Sequence, residues 1–276
     1  MKKALENLKQ NIADINISPK ITDEQWKDFT ENVVVALMSG GEGSRFKSVL
    51  GEQASHKNSF QLPNGDTMLE LAIKRYRDAG VKNFVALVYH EAKSVEELLG
   101  DGSKLGVNIT YSYDPEKPVG KGGAVLNALL NGSIPRDKHL IVHNPDDVII
   151  DYEGSFPRDI AAGHLDGVGK GNTATVVVVE ETPYAFTGMK VVDSQVEQIE
   201  MYPMIPIPTH IGVTIFSPDA YDLFENQFNL EEKQDFEKVL FPILAEEKKL
   251  YVTSVPAHTW LAVNNPKTFK KLLEHL

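Results

Sequence analysis

The stretch VVVALMSGGEGSRF, residues 33–46, joins an unbroken apolar run to a glycine-rich bend that carries one arginine. Such a run followed by such a bend is typical of a buried strand that turns towards a helix in an α/β fold. Glycine lacks a Cβ, so the bend lets a ligand approach the backbone N–H groups, which can form an anion-binding concavity. A tight turn without a ligand explains the same residues, and the bend alone leaves both interpretations open.

Strand and helix patterns alternate after the bend. KNFVALVYH, GVNITYSYD and KHLIVHNP predict strands, while TMLELAIKRYRDAG, AKSVEELLGDG and GKGGAVLNALLNG predict helices. Beyond Asp151 the patterns are mixed, and TGMKVVDSQVEQIEMY predicts a hairpin. The alternation indicates an α/β fold with a mostly parallel sheet, helices on both faces and an added mixed β layer. We assign this domain to residues 32–276.

Residues 1–31 are predicted to form a helical N-terminal extension. KALENLKQNIADI has apolar residues at helical spacing, and Thr22 or Asp23 is a candidate N-cap of a second short helix. Two roles are open for this extension: a dimer contact in a homo-oligomer, or a cover over the sheet.

Charge and composition narrow the classes of partner. The 276-residue chain has a formal net charge of −11, which argues against nucleic acid or an anionic membrane surface as its main partner. It has no cysteine, so it has no disulfide and no thiolate metal site. The N-terminus lacks the apolar segment of a signal peptide, and no apolar run approaches the ~20 residues that span a bilayer. We therefore expect a cytoplasmic protein that binds neither nucleic acid nor membranes.

The residues that follow the bend carry a family resemblance. LMSGGEGSRF, continued by HKNSFQLPNGDTMLELAI, resembles the opening signature of the sugar-1-phosphate nucleotidyltransferases, or NDP-sugar pyrophosphorylases. The matching positions are Gly40, Gly41, Gly43, Ser44, Arg45 and Lys57, whereas His56 replaces the proline of a Pro-Lys pair. The resemblance implies a glycosyltransferase-A-like fold, which is a Rossmann-like three-layer sandwich with a mixed central sheet. It also implies that the glycines and Ser44 bind the triphosphate while Arg45 and Lys57 neutralise phosphate charge.

A second glycine turn extends the resemblance. In DPEKPVGKGGAVLNAL, Gly120 and Gly123 occupy positions of a family turn that flanks the nucleotide base. Asp114 falls near the position that contacts the edge of the base. A carboxylate only accepts hydrogen bonds, so Asp114 suits the N1–H and N2–H groups of guanine. A glycine-rich helix start without a ligand is the alternative.

KHLIVHNPDDVIID is the strongest carboxylate signal. A predicted buried strand ends at Asp146 and Asp147, and ligands of open α/β sheets bind at the carboxyl ends of strands. The resemblance assigns Mg²⁺ to Asp146, and oxygen ligands suit this ion. Asp147 is either a second ligand or a residue that orients Asp146. An acidic turn after a strand is the plainer alternative, and His143 is interpreted as structural rather than as a base.

The sequence departs from the family at two places in the part of the site that binds the sugar phosphate. In WLAVNNP, Ala262 stands where the family has a second metal-binding aspartate, and we interpret Trp260 as a packing anchor. VEQIEMYPMIPIPTHIGV lacks the lysine that pairs with the sugar phosphate in the family. The resemblance leaves Gly188 and His210 as sugar-binding residues.

The sequence therefore supports two hypotheses. One is an Mg²⁺-dependent enzyme that joins a nucleoside triphosphate and a sugar 1-phosphate into an NDP-sugar with release of pyrophosphate. The other is a regulatory protein that binds a nucleotide or NDP-sugar and has lost efficient turnover. Loss of one charged partner from a buried phosphate site costs about 2–5 kcal/mol, so the two departures bear directly on this choice.

Overall fold

A computed structural model describes residue 15 and residues 19–41 and 60–276. In these residues the helices are α1 (Asp23–Glu31), α2 (Met68–Asp78), α3 (Ala92–Leu99), α4 (Gly120–Leu130), α5 (Phe156–Gly169), α6 (Tyr221–Gln227), α7 (Phe236–Glu246) and α8 (Pro266–Leu273). The strands are β1 (Val33–Met38), β2 (Asn83–Val88), β3 (Asn108–Tyr113), β4 (His139–His143), β5 (Asp147–Ile149), β6 (Ala174–Val179), β7 (Thr182–Pro183), β8 (Thr187–Val192), β9 (Gln195–Met201), β10 (Met204–Ile205), β11 (Thr209–Phe216), β12 (Leu250–Val255) and β13 (Trp260–Ala262).

Seven strands form the central sheet in the order β12-β6-β11-β4-β1-β2-β3. β1 pairs in parallel with β2 and β4, β2 with β3, and β12 with β6. β11 lies between β4 and β6 and is antiparallel to both. The carboxyl ends of β1 to β4 therefore share one edge of the sheet with the amino end of β11.

Alternation along β1 builds the two faces of the sheet. Val33, Val35 and Leu37 pack into one core with α1, α2, α3 and α5, whereas Val34 and Ala36 pack into another with α4, α6 and α7. Successive side chains of a strand point to opposite faces of the sheet, so β1 contributes apolar side chains to both cores. The predicted three-layer sandwich with a mixed central sheet is confirmed.

The small β layer that the sequence predicts consists of two-stranded sheets. β8 and β9 form the predicted antiparallel hairpin, and β7 pairs with β10. A third sheet joins β13 to β5 and sets Ala262 opposite Asp147. α8 packs beside this third sheet through Phe269 and Leu272.

Local sequence fixes where the helices begin. Thr22 caps α1: its hydroxyl accepts from Gln25 N at 3.1 Å and its own N–H donates to Gln25 Oε1 at 2.9 Å. Thr67 and Glu70 form the same reciprocal cap on α2. The predicted Thr22 cap is therefore confirmed, and Phe29 anchors α1 in the main core. The earlier helix of the proposed extension lies outside the described residues, and a domain boundary at residues 31–32 stays a prediction.

None of the helices that the structure describes is long and apolar enough to span a membrane.

The β11 strand holds the end of β4 through an irregular register. The pairing shifts between His210 and Thr214, and Gly212 in this interval has a φ of +71°. Its carbonyl oxygen accepts a hydrogen bond from Asn144 N at 3.1 Å. A Cβ on Gly212 would overlap Asp147 Oδ2 and crowd Asn144 Nδ2. Only glycine fits here, because both its backbone conformation and the space around it exclude a side chain.

We predict that Gly212→Ala lowers the free energy of unfolding by about 3 kcal/mol or more, because backbone strain and a clash act together. Urea unfolding measures this effect. Gly171→Ala is the matched control: its φ is +87°, but a Cβ there would meet nothing within 4 Å. An equal loss in both variants would show that the contact with Asp147 contributes nothing.

Two histidines are paired inside the core beneath α1. His139 Nδ1 lies 3.0 Å from His164 Nε2, and His164 Nδ1 lies 3.0 Å from Thr175 Oγ1. Burial lowers the pKa of His139, and burial together with the neighbouring His139 lowers the pKa of the fully buried His164 well below its usual value. The folded protein therefore keeps the His164 ring neutral.

We predict that stability falls as the pH drops below about 6.5, the pKa of an unperturbed histidine. Below that pH the unfolded chain binds protons that the folded chain does not, so stability is fully present above it and lost beneath it. Each pH unit costs up to about 1.4 kcal/mol for a ring that stays neutral. Urea unfolding between pH 7.5 and 5.5 should show a weaker slope for His164→Gln and an unchanged slope for the exposed His258→Gln. An unchanged slope in His164→Gln would contradict the prediction.

Candidate active site

The glycine bend begins at the carboxyl end of β1. Ser39 N donates to Leu87 O at 2.9 Å, and Gly40 O accepts from His90 N at 3.5 Å. A Cβ on Gly40 would lie 3.3 Å from Tyr89 Cβ, whereas one on Gly41 would meet no atom of residues 19–41 or 60–276 within 4 Å. The chain thus leaves the sheet tightly against the end of β2. The predicted phosphate-binding residues Gly43, Ser44, Arg45 and Lys57 lie outside the described residues, as does His56.

Asp147 is the most constrained carboxylate at this edge of the sheet. Trp260 Nε1 donates to its Oδ1 at 3.0 Å and Asn144 Nδ2 donates to its Oδ2 at 3.1 Å. Burial, and then the charge of Asp146, raise the pKa of Asp147 to about 7 against the opposing effect of these hydrogen bonds. Because both oxygens already accept a hydrogen bond, the geometry favours Asp147 as an orienting residue. Trp260 does more than pack, since its indole N–H is a hydrogen-bond donor to this carboxylate.

The residue that follows β13 holds Asp146 through a backbone hydrogen bond. Val263 N donates to Asp146 O at 2.7 Å, and the Asp146 residue is half-buried. Ala262 lies opposite Asp147 in the β5–β13 pairing, so a methyl group stands where the family resemblance implies a carboxylate. No group of three or more acidic or histidine residues in the described ranges could hold a metal ion. A metal-binding role for Asp146 and Asp147 stays a prediction.

His143 has a structural role, as the sequence predicts. Its Nε2 lies 2.9 Å from Asp147 O and its Nδ1 lies 3.0 Å from the Tyr76 hydroxyl. A carbonyl oxygen can only accept, so Nε2 carries the proton and Nδ1 accepts from Tyr76. Burial lowers the pKa of His143 to about 4. The neutral, buried ring thus joins Tyr76 to the backbone of Asp147, and both its nitrogens have a hydrogen-bond partner.

The second glycine turn packs against the segment that precedes α7 and contains Gln234. Gly120 has a φ of +76°, and a Cβ there would lie 2.5 Å from Gln234 O. Gly122 N donates to Gln234 O at 2.9 Å, and a Cβ on Gly123 would lie 2.6 Å from Val119 Cβ. Packing by itself therefore requires these glycines. Nucleotide binding by Gly120 and Gly123 stays a prediction.

Asp114 lies just after β3, at the start of the loop that leads to this turn. Its backbone N–H donates to Val88 O at 2.9 Å, and its Oδ2 accepts from Val119 N at 3.2 Å. Burial raises the pKa of the Asp114 carboxyl. The carboxylate thus stabilises the loop by a hydrogen bond to its backbone. Contact of Asp114 with a nucleotide base stays a prediction.

The two predicted sugar-binding residues lie on different elements. His210 is near the start of β11, where its Nε2 donates to Val213 O at 3.1 Å and lies 3.0 Å from Thr214 Oγ1. Gly188 lies on the β8–β9 hairpin, and a Cβ there would lie 2.8 Å from Pro203 Cγ. Their sugar-binding role stays a prediction.

Lys121 is a residue that sequence reasoning missed. It lies in the first turn of α4, where its ammonium group pairs with Glu237 Oε1 and its backbone N–H donates to Asp235 Oδ1 at 3.3 Å. Burial raises the pKa of Asp147 and lowers the pKa of His210, and the charge of Lys121 makes only a small downward contribution to each. The sequence signal for Lys121 was its position between the glycines of GKGG. Packing of the turn requires small residues and does not require a lysine.

Comparisons with known proteins identify the family of this chain. The family model described as nucleotidyl transferase matches residues 34–276. The mannose-1-phosphate guanyltransferase of Saccharomyces cerevisiae is 29% identical over 239 residues, which cover 84% of this chain and 62% of the relative. The corresponding protein of Eremothecium gossypii is 30% identical, with the same coverage of each chain.

A solved structure shares the fold at low sequence identity. A candidate glucose-1-phosphate thymidylyltransferase from Bacillus anthracis superposes with a TM-score of 0.65 at 14% identity, covering 88% of this chain and 94% of that one. The chain spans about three fifths of the length of the curated relatives that it matches. With the family model covering nearly the whole sequence, the chain belongs to the nucleotidyl transferase family.

Proposed function

We propose that the protein transfers a nucleotidyl group from a nucleoside triphosphate to a sugar 1-phosphate, giving an NDP-sugar and pyrophosphate. The observation that carries this proposal is the fixed pair of carboxylates at the end of β4. Trp260, Asn144 and the backbone of Val263 hold Asp146 and Asp147 at the edge of the sheet where ligands of α/β folds bind. The family match over residues 34–276 supports the same reaction class.

The proposed chemistry relies on positioning and on charge. A phosphate oxygen of the sugar 1-phosphate attacks the α-phosphorus of the triphosphate, a P–O bond forms, and the bond to the departing pyrophosphate breaks. The attacking phosphate is already ionised at neutral pH, so no general base is required. Mg²⁺, when bound, supplies positive charge to the reacting phosphates. Asp146 would hold it, while Asp147 would orient Asp146 and keep the turn in place.

The remaining phosphate contacts come from the family resemblance. We propose that Gly40, Gly41, Gly43 and Ser44 bind the triphosphate, and that Arg45 and Lys57 neutralise its charge. The names of the relatives make GTP and mannose 1-phosphate the first substrates to test. Asp114 is our candidate acceptor for guanine N–H groups, because a carboxylate only accepts. A cytoplasmic location and a homo-oligomeric state stay predictions.

A regulatory protein without efficient turnover is the second candidate. The observation that favours it is Ala262, which lies opposite Asp147 and provides no metal ligand. Calorimetry with each nucleoside triphosphate, followed by pyrophosphate release with mannose 1-phosphate and glucose 1-phosphate, separates the candidates. Nucleotide binding without pyrophosphate release, whichever acceptor is supplied, would favour the regulatory function. Absence of binding of every nucleotide and NDP-sugar would exclude both candidate functions.

We predict that Asp146→Asn lowers the rate of pyrophosphate release by about 100-fold or more, because an amide cannot supply the charge that holds the metal. The variant keeps the size of the side chain, so its thermal unfolding should stay close to that of the parent protein. Asp222→Asn, at an 85% exposed surface carboxylate, is the control and should keep full activity. Normal rates in Asp146→Asn would show that the metal site is elsewhere.

We predict that Lys57→Ala also removes activity, since a lysine that contacts the reacting phosphates stabilises charge in the transition state. Steady-state assays with saturating substrates test this. Lys104→Ala, at an exposed lysine in the 3₁₀ turn Ser103–Leu105, should behave as the parent protein does. If Lys57→Ala retained full turnover, the resemblance at this position would have no functional meaning.

A further inference from the structure

The β8–β9 hairpin lies outside the apolar cores of the molecule. Of the 13 residues in its two strands, 11 are exposed and the first two of β8 are half-buried. None of these residues belongs to a buried apolar cluster of the described chain, and no third strand among the described residues joins the pair. A two-stranded hairpin without such packing is marginally stable at best in water. The hairpin therefore needs a surface to pack against.

One side of this hairpin is apolar. Alternation along the paired strands places six side chains together on that side. They are Thr187, Met189, Val191, Val196, Ile199 and Met201. The Thr187 hydroxyl donates to Met201 Sδ at 3.3 Å, in agreement with this placement. The other five side chains on this side carry no polar group besides the thioethers and are 50–65% exposed, and we call them the apolar face.

An extra residue in β9 keeps charge off the apolar face. The register shifts between Lys190 and Val191, so Val191 lies opposite Val196, where uninterrupted pairing would place Glu197. Glu197 instead pairs with Lys190 on the opposite side of the hairpin, with 2.6 Å between Lys190 Nζ and Glu197 Oε2. Monomeric proteins commonly protect exposed strands with a charge that points away from solvent-accessible partners or into the exposed face. Here the bulge removes such a charge.

The apolar surface around the hairpin is as large as a protein interface. Of the 15 large apolar side chains that are exposed in the described residues, 11 lie between Tyr184 and Ile207. The apolar face exposes roughly 500 Å², and the aromatic and aliphatic residues beside it raise the exposed apolar area of this segment to roughly 1,000 Å². A standard interface buries about 800 Å² of each partner. The segment therefore has enough apolar area to form one.

Charge favours a second copy of this chain as the partner. The net charge of −11 makes two copies repel each other, so a contact between them is favoured where both surfaces are uncharged. The apolar face meets this condition. A two-fold axis brings the same patch of each copy together, and an uncharged apolar patch is complementary to itself.

We propose that the protein forms a two-fold symmetric dimer in which the apolar faces of two β8–β9 hairpins pack together. The inference does not depend on the proposed nucleotidyl transfer, because the hairpin alone carries it. Gly188 and Glu200 are paired on the opposite side of the hairpin, which stays accessible in this dimer. Association thus stabilises the hairpin and leaves the proposed sugar-binding glycine free to meet a ligand.

Sedimentation velocity of the full chain tests the dimer. The parent protein should sediment as a dimer, and Ile199→Lys should raise the dimer dissociation constant by about 100-fold or more, because each copy would bury an unpaired charge. Circular dichroism of the variant shows whether it is folded. A monomeric parent protein, or an unchanged dissociation constant in folded Ile199→Lys, would overturn the proposal.

Val192→Lys is the matched control. Val192 lies on the same hairpin and is 42% exposed, but alternation places its side chain on the side opposite the apolar face. The dissociation constant of this variant should stay within about twofold of the parent value, as expected for a substitution at an exposed surface. Equal weakening of the dimer by both substitutions would contradict an interface formed by the apolar face.

Disulfide crosslinking gives a second measurement that introduces no charge. The chain has no cysteine, so Met189→Cys and Val196→Cys each create a protein with a single thiol. Two cysteines can bond only where their Cα atoms lie within about 7 Å. Mild oxidation should therefore link two copies in at least one of these variants and should not link copies of Val192→Cys. A dimer that is linked in neither apolar-face variant would show that the copies meet at another surface.

A different occupant of the apolar face gives a different result. If another segment of this chain covered the face, the parent protein would be a monomer, and Ile199→Lys would lower its melting temperature more than Val192→Lys does. If a different protein covered it, the parent protein would be a monomer and both variants would melt as it does. Either result would overturn the dimer. A dimeric parent protein that releases no pyrophosphate would instead exclude the proposed reaction and support this interface.

Discussion

The half-buried carboxylate of Asp147 is the constraint on which this end of the molecule depends. A carboxylate with a raised pKa in a low-dielectric environment needs donors, and it receives them from Trp260 and Asn144. Gly212 must lack a side chain so that the carboxylate fits beside β11. Three segments far apart in sequence are thereby fixed around one side chain, and the position of Asp146 follows from theirs.

Glycine has two different uses at the edge of this sheet. At the second turn, Gly120 and Gly123 are explained by contacts within the protein, because a Cβ at either position would collide with backbone or core atoms. At the bend, a Cβ on Gly41 would meet no atom of the described residues within 4 Å, so packing against that part of the chain does not account for this glycine. Contacts among the described residues thus explain the second turn but not Gly41, even though both motifs look alike in sequence.

Local patterns were enough to predict much of the fold. The apolar run of β1, the hairpin of β8 and β9 and the cap at Thr22 all depend on residues within a few positions of each other. The β13–β5 pairing was not predictable, because the contact between Trp260 and Asp147 spans 113 residues. The Lys121–Glu237 pair spans 116 residues and escaped notice for the same reason. Sequence reasoning thus found the strand-end carboxylates but not the side chains that orient them.

The charged residues near the carboxyl end of the central sheet favour a functional site over a purely structural role. Buried ionic groups usually stabilise a fold less than well-packed apolar residues of similar volume. The protein nevertheless keeps a half-buried Asp147 with a raised pKa, a largely shielded Lys121–Glu237 pair and, among the described residues, an unsatisfied oxygen on Glu237. Replacement of such groups by well-packed apolar residues is often neutral or stabilising, and stability is commonly given up where a site must bind or react. These groups therefore favour the proposed transfer over the proposed regulatory protein, and Ala262 and the absent lysine stand as differences from the family in the proposed acceptor site.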